Sequence, residues 1–356
     1  MTRQFYIGNV PIGGGAPVTV QSMTNTDTRN AEATLSQIRA LCTAGADLVR
    51  VSVYDDECLP AFGEICKHAP VPIIADIHYR ADLAVAALEA GAKKVRINPG
   101  NIGSAEKVKL VADCAKAHGA PIRIGVNSGS VEKDILAKYG GVTAEGMVES
   151  ALSHAALLEQ AGFTDIVLSL KASSVPLTVQ AYRLAAAACD YPLHLGVTEA
   201  GLPGVGHVKS AVGIGSLLLM GIGDTLRVSL TGDPVPEVSA GISILKACGL
   251  RREGINLISC PTCGRTGIDV SGIARRVQEE LADIKTPLTV AVMGCVVNGP
   301  GEAREADFGI AGGGNGKGVL FEKGKPPQPV EGDLAEILVR RVRSVQIEQS
   351  GTDSNP

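Results

Sequence analysis

Two nearly identical joins decide how this chain folds: AGADLVRVSV (residues 44–53) and AGAKKVRINP (residues 90–99). In each, Ala- and Leu-rich helical periodicity ends in Gly. A short β-branched run follows at once, with an arginine among its apolar neighbours. Gly after the last periodic residue suits a left-handed helix cap, and the run beyond it is too short and too β-branched to be helix. Each join is therefore a helix entering a strand.

Working outward, the same unit recurs through the first 250 residues. Strand candidates are VTVQSM (18–23), DLVRVSV (47–53), VPIIADI (71–77), KVRINPG (94–100), IRIGVNSG (122–129), IVLSLKAS (166–173), LHLGVTEA (193–200) and TLRVSL (225–230). Helical stretches such as AEATLSQIRALCTAG and AEKVKLVADCAKAHG alternate with them. Strand–helix alternation predicts parallel βαβ units, and eight of them close a TIM (β/α)8 barrel. An open doubly wound sheet is the alternative. The segment QFYIGNVPIGG ahead of the first strand is expected to be a hairpin plugging the barrel's N-terminal end.

Past Leu250 the texture changes. Short strand candidates (INLISC, LTVAVMG, DFGIAGG, KGVLFEKG) mix with two helices near 270–283 and 331–348. Residues 1–249 are therefore expected to be the substrate-binding barrel and 250–356 a smaller α+β domain. GIAGGGNGKG reads as a hairpin turn, because no helical pattern follows it.

Composition excludes several classes. The 356 residues are 45% apolar and 20% charged, which suits a packed core. No Trp, six Tyr and five Phe leave little to stack on nucleic-acid bases. The net charge of −4 means that anion binding must come from local clusters. The N-terminus lacks a signal-peptide pattern, and no apolar run approaches the ~18 residues of a membrane span. With nine scattered cysteines, a reducing, cytoplasmic setting is expected rather than a disulfide framework. Cys42, Cys58, Cys66, Cys114, Cys189 and Cys248 read as small buried hydrophobes on helices.

Four strand candidates carry an arginine: Arg50, Arg96, Arg123 and Arg227. A guanidinium inside a strand is costly to bury unless it is paired. Residues near the C-terminal ends of barrel strands face the active-site mouth. Ser52, Asn98, Asn127 and Ser229 follow these arginines at even spacing and point the same way. Ser169, Lys171, Asp76 and His78 join the set. Acids near strand ends are few, chiefly Asp76 and Glu199, so the surplus positive charge predicts a diphosphate-like anion gripped bidentately. AGLPGVGHVKS (200–210) reads as a tight loop that could touch phosphate; it lacks dinucleotide-fingerprint spacing.

In the second domain Cys260-Pro-Thr-Cys263 is followed, after 31 intervening residues, by Cys295. A structural zinc, a redox disulfide and an iron–sulfur cluster all use such thiols. No His follows His207, and the missing fourth Cys or His favours the cluster. Glu302, in NGPGEA, reads from spacing alone as an ordinary solvated acid.

CPTCGRTGID, MGCVVNGPGEAREADFGIAGG, VRINPGNIG, IRIGVNSGS and GIGDTLRVSLTGDP together resemble the 4-hydroxy-3-methylbut-2-enyl diphosphate synthases of the non-mevalonate isoprenoid route, in their shorter bacterial form. The resemblance runs from about residue 4 to about residue 345. It implies a [4Fe–4S] cluster on Cys260, Cys263, Cys295 and Glu302, which displaces the solvated-acid reading of Glu302. It implies an oxidoreductase that opens 2-C-methyl-D-erythritol 2,4-cyclodiphosphate, with flavodoxin or ferredoxin as electron donor. Arg50, Arg96, Arg123, Asn127, Lys171, Arg227 and Ser229 match substrate contacts, Glu199 the acid in the pocket, and Asn298 a residue beside the cluster. A homodimer is implied, in which one subunit's cluster domain caps its partner's barrel. Two rivals stand beside it: a pterin-type transferase on a similar barrel, and a zinc-stabilised protein that binds a phosphorylated metabolite.

Overall fold

The computed structural model describes residues 1–295, 301 and 305–352. The chain divides into two compact units, Met1–Arg251 and Arg252–Pro356.

In the first unit, strands β1 (Phe5–Ile7) and β2 (Val10–Ile12) form an antiparallel hairpin. Eight parallel strands follow: β3 (Thr19–Met23), β4 (Leu48–Ser52), β5 (Ile73–Asp76), β6 (Lys94–Ile97), β7 (Ile122–Asn127), β8 (Ile166–Lys171), β9 (His194–Leu195) and β10 (Thr225–Leu226). Their order is β8-β7-β6-β5-β4-β3-β10-β9. A parallel bridge between Leu168 and Leu193 joins the two ends, so the sheet closes into a barrel. The seam is thin, and a side chain strengthens it. The Tyr182 hydroxyl accepts from the Leu170 amide at 3.1 Å and donates to the His194 carbonyl.

The repeated joins share one turn. Ala46 and Ala92 each donate to the carbonyl five residues back at 3.0 Å, while Gly45 (φ 101°) and Gly91 (φ 113°) take the left-handed position. This is the Schellman closure that Gly permits. At Gly45 a Cβ would also stand 2.7 Å from Ile242.

Alternation along the strands sorts the side chains. Val49, Val51, Ile73, Ala75, Val95, Ile97, Ile122, Ile124, Leu168 and Leu170 belong to the main buried core, with the helices. Leu48, Ile74 and Val167 bury instead against Phe5, Ile7 and Ile12 of the hairpin. The hairpin therefore plugs the end at which the strands begin, as its position ahead of β3 led us to expect. The strand candidates 193–200 and 225–230 pair over two residues each. Beyond Leu195 and Leu226 the backbone leaves the ladder at Gly196, whose Cβ would lie 2.8 Å from the Arg227 carbonyl oxygen.

The second unit is a five-stranded mixed sheet, β11 (Ile255–Ser259), β12 (Leu288–Met293), β13 (Phe308–Gly314), β14 (Lys317–Glu322) and β15 (Gln328–Glu331), in chain order. The first three run parallel and the last two antiparallel. Helices Val270–Glu280 and Leu334–Thr352 are also present. Val270, Val277, Leu334, Leu338 and Val342 share a core with Val290, Val292, Phe308 and Ile310. Asn315 (φ 52°) and Gly316 (φ 72°) join β13 to β14; positive φ at both central residues is the type I′ hairpin signature. β15 was not anticipated, because Pro329 breaks the strand signal. Proline is tolerated there at the sheet edge, where one side of the ladder needs no donor.

Candidate functional site: an arginine-lined barrel mouth and a cysteine turn

Inward positions near the C-terminal ends of the strands converge on one cavity of about 140 Å³. Arg50, Arg96, Arg123, Asn127, Lys171, Arg227 and Ser229, all singled out from the sequence, line it, as do Asp76, His78 and Ser169. Ser52 is absent from the lining. Asn98 works behind it: its Oδ1 accepts from the Gly125 amide at 3.1 Å.

Register explains the convergence. Arg50 pairs with Ile74, Asp76 with Arg96, Arg96 with Arg123, and Asn127 with Lys171. Strand pairing alone thus lines up the cations around the barrel. Glycines make room for them. A Cβ on Gly125 would meet Arg96 Nε at 2.8 Å, and one on Gly196 would meet Lys171 Nζ at 2.7 Å.

Asp76 is the enclosed counter-charge at the centre. Its Oδ1 lies 3.8 Å from Arg50 Nη1 and 3.7 Å from Arg96 Nη1, and its Oδ2 lies 3.6 Å from His78 Nε2. Burial pushes this carboxyl upward, but Arg50, His78, Arg96 and Arg123 outweigh it and hold Asp76 well below the usual carboxylate range. His78 Nδ1 lies 2.9 Å from Arg96 Nη1 and takes up that donor. Met23 fills the other side, its sulfur accepting from Arg50 Nη2 at 2.8 Å and from Arg227 Nη1 at 3.6 Å.

Glu237 is a second acid that sequence reasoning missed. It stands in the first turn of helix Val235–Ala247 and is buried. Its Oε2 lies 3.3 Å from Arg227 Nη2, and its Oε1 accepts from the Leu230 amide at 2.8 Å. Burial raises this carboxyl, and Arg227 opposes the rise. The signal available in sequence was faint: an acid just inside a helix, ten residues after a strand arginine.

Glu199 takes a different place from the one expected. Thr198 lines the cavity, whereas Glu199 beside it is exposed, with φ at 51°. Glu199 follows inward-facing Thr198 by one residue, so the two side chains fall on opposite faces. The loop 200–210 does not line the cavity either; it leads into helix Val205–Leu219, with His207 Nδ1 accepting from the Gly204 amide at 3.0 Å.

The charges do not balance. Among the described residues, Arg123 and Lys171 form no ion pair with a carboxylate, although Arg123 is 1% exposed and Lys171 8%. Burial, then Arg123, Arg50, Arg227 and Arg96, push the Lys171 ammonium well below the ordinary lysine range. A site that stores this much unneutralised positive charge is built for a polyanion.

In the second unit Cys260 follows β11 and Cys295 follows β12. β11 and β12 are adjacent and parallel, with Ser259 opposite Val292, so the two thiols leave the same end of the sheet. Cys263 sits in an exposed turn in which its amide donates to Thr266 Oγ1 and the Thr266 amide donates to the Cys263 carbonyl, both at 3.0 Å. Hydrogen bonding from the Arg265 amide holds the Cys263 thiol below its usual value. The Gly294 amide donates to Cys260 Sγ at 3.0 Å. A Cβ on Gly294 would stand 3.0 Å from Thr266 and Val270, so the close backbone approach depends on glycine. Among the described residues, no cysteine is in a disulfide.

Among the described residues, no three His, Cys, Asp or Glu side chains are close enough to hold one metal ion. Three thiols with backbone N–H bonding to sulfur are a donor set that suits an iron–sulfur cluster and that a zinc ion could also use. Asn298 and Glu302 lie outside the described residues.

Residues 2–242 match the GcpE TIM-barrel domain, and residues 256–344 match the GcpE protein C-terminal domain. The chain belongs to the GcpE family. It is 57% identical over 350 residues to the 4-hydroxy-3-methylbut-2-en-1-yl diphosphate synthase (flavodoxin) of Caldanaerobacter subterraneus subsp. tengcongensis, covering 98% of each chain. It is 58% identical over 349 residues to the enzyme of the same name from Geobacter sulfurreducens, covering 98% of this chain and 99% of the relative. Among solved structures, the dihydropteroate synthase of Yersinia pestis aligns at a TM-score of 0.50 and 12% identity, over 70% of this chain and 98% of that one. At that identity the likeness shows the barrel fold alone.

Proposed function

We propose that this GcpE chain reductively opens 2-C-methyl-D-erythritol 2,4-cyclodiphosphate to 4-hydroxy-3-methylbut-2-enyl diphosphate. The observation that carries this reading is the cavity holding Arg50, Arg96, Arg123, Arg227 and Lys171 around one central carboxylate, in a chain that also presents Cys260, Cys263 and Cys295. Near-full-length identity to enzymes of that name supports it.

The guanidinium groups grip the two phosphates, with Asn127 and Ser229 adding hydrogen bonds. Their positions are set before the ligand arrives, so little reorganisation remains for the reaction. Cys260, Cys263, Cys295 and Glu302 would hold a [4Fe–4S] cluster, which, reduced by flavodoxin, would supply the two electrons. The C–O bond to the bridging diphosphate breaks, and a hydroxyl leaves as water after taking a proton. Asp76 is unsuited to give that proton, because its cationic neighbours keep it ionised. We assign the donor to Glu199, which must turn in from its exposed place beside Thr198 to reach the ligand.

The working protein is a homodimer in this reading. Helices Val205–Leu219 and Val235–Ala247 leave between them an apolar groove of about 1010 Å³, lined by Val212, Leu219, Val235 and Ile244. Val205, Val208, Val212, Leu219 and Met220 are exposed beside it. Exposed apolar surface of this extent suits a second copy of the chain. The pterin-transferase reading uses the barrel but leaves the three cysteines idle.

Anaerobic purification of wild type and Cys263→Ser tests the proposal. Brown wild-type protein with about four irons per chain, bleached in the variant, together with turnover of the cyclodiphosphate under reduced flavodoxin, is expected. Colourless protein carrying one zinc would overturn it in favour of the zinc-stabilised binder.

A further inference from the structure

Barrels of this type are usually filled by bulky branched apolar side chains. Beneath the cations of the mouth, this one is not. Lys94 on β6 and His194 on β9 are both 0% exposed, with Gln21 on β3 and Thr225 on β10 also buried. Lys94 is the next inward position below Arg96, roughly 7 Å down the strand. It pairs in register with Ile74, which caps the hairpin plug.

Its surroundings give it nothing to neutralise its charge. Lys94 Nζ donates to Gln21 Oε1 at a long 3.5 Å, and among the described residues it forms no ion pair with a carboxylate. The charged groups that act on it are cations, Arg123 on β7 and Arg50 on β4. His194 on β9 is the other titratable group at this level, and it feels Lys94 in turn. Asp76 on β5 lies one inward position above Ile74 and is shared by Arg50 and Arg96. Gln21 Nε2, Arg123 Nε and His194 Nε2 are buried without a hydrogen-bond partner among the described residues.

We propose that Lys94 is the charge-compensating residue of this barrel: neutral in the ligand-free protein, it takes up one proton when the cyclic diphosphate binds at the mouth above it. The inference rests on the proposed substrate and adds a residue that does not touch it.

Six basic side chains (Arg50, Lys94, Arg96, Arg123, Lys171 and Arg227) share the interior with two buried carboxylates, Asp76 and Glu237. Arginine keeps its proton in proteins, whereas lysine sheds one readily when buried. Burial, then Arg123 and Arg50, drive the Lys94 ammonium well below its ordinary range. An anion with two phosphates reverses that balance, because its field acts through a poorly screening interior. Lys171 feels the same push, but it lines the cavity and meets the ligand directly. Lys94 does not line it and responds through the field alone. Ring opening frees a terminal phosphate and adds negative charge to the ligand, so a protonated Lys94 favours the product side as well. Proton uptake on binding means that affinity rises as pH falls through the ligand-bound value of Lys94 and drops as pH climbs past it.

The test is calorimetric titration of 2-C-methyl-D-erythritol 2,4-cyclodiphosphate into oxidised holoenzyme, where no turnover occurs, in two buffers of different ionisation enthalpy. Wild type is expected to absorb about one proton more per ligand than Lys94→Met, and its affinity to fall about tenfold more per pH unit across the uptake window. Methionine matches the buried stem without its charge, and exchanging a buried charge for an apolar group of similar shape is commonly tolerated. Lys94→Gln provides a second neutral variant, and the Lys171 contribution cancels in both comparisons. Equal proton counts in wild type and both variants would overturn the assignment and leave the functional reading standing. Failure of wild type to bind the cyclodiphosphate at all would overturn that reading, and Lys94's role with it.

Discussion

The barrel mouth and the cysteine turn solve opposite problems. The mouth concentrates like charges in an enclosed space, held by strand register, glycine clearances and Asp76. The turn keeps Cys263 exposed and shapes its thiols with local backbone hydrogen bonds. In the first, long-range topology stores electrostatic energy that a ligand releases. In the second, short-range geometry sets up ligation, and little is stored. Substitutions at the mouth should therefore affect binding and stability together, whereas those at the turn should abolish function and leave the fold intact.

The largest effect is expected at the turn. Cys263→Ser should lower turnover by at least about a thousandfold, the scale of losing an essential group outright. Circular dichroism and cyclodiphosphate affinity of the oxidised protein should be unchanged. Coupled loss of ligand binding would break the contrast.

Arg123→Met at the mouth comes next. Truncating a buried charged contact costs about 2–5 kcal/mol, which should appear as weaker cyclodiphosphate binding. Because Arg123 is buried, feels Arg50 and Arg96 more than Asp76, and forms no ion pair among the described residues, the variant should melt higher than wild type, the reverse of an ordinary core truncation. A lower melting temperature would show that the mouth stores no repulsion.

Asp76→Asn should remove about 3–5 kcal/mol of stability at neutral pH, as expected for breaking a buried ion pair. The sign follows from its depressed folded-state value. The stabilisation is complete above the ordinary Asp range near ~4 and disappears as pH falls below it. Urea unfolding of both proteins at neutral and acid pH checks this, and a difference that persists in acid would contradict it.

Glu237→Gln should cost about 1.5–3 kcal/mol, the scale of a hydrogen bond to a charged group. The loss should be in KM more than in kcat, because Glu237 touches Arg227 rather than the cavity. The smallest effect belongs to the hairpin: Gly316→Ala should lower the stability of the second unit by about 1 kcal/mol through its positive φ, with the mouth unaffected.

Much of this was legible beforehand. AGADLVRVSV and AGAKKVRINP contain their helix stop, strand start and inward arginine within ten residues, so periodicity and glycine suffice to read them. Cys260, Cys263 and Cys295 announce themselves by residue type and spacing. Glu237 stayed hidden because its role depends on where a helix docks, and β15 because Pro329 masks an edge strand. Glu199 stood out as an acid near a strand end, but it lies one residue past cavity-lining Thr198 and is exposed.

By itself the sequence determined the local grammar: eight strand–helix units, four inward arginines, three thiols and the family they belong to. Those features rest on periods of two and about 3.6 residues and on short spacings, all of which survive without a fold. Only the tertiary structure decided which charges share one enclosure and which acids reach them. It also decided that Lys94 lies beneath the mouth with no carboxylate partner among the described residues. Those depend on register around a closed barrel, where residues far apart in the chain become neighbours and burial sets the strength of every charge.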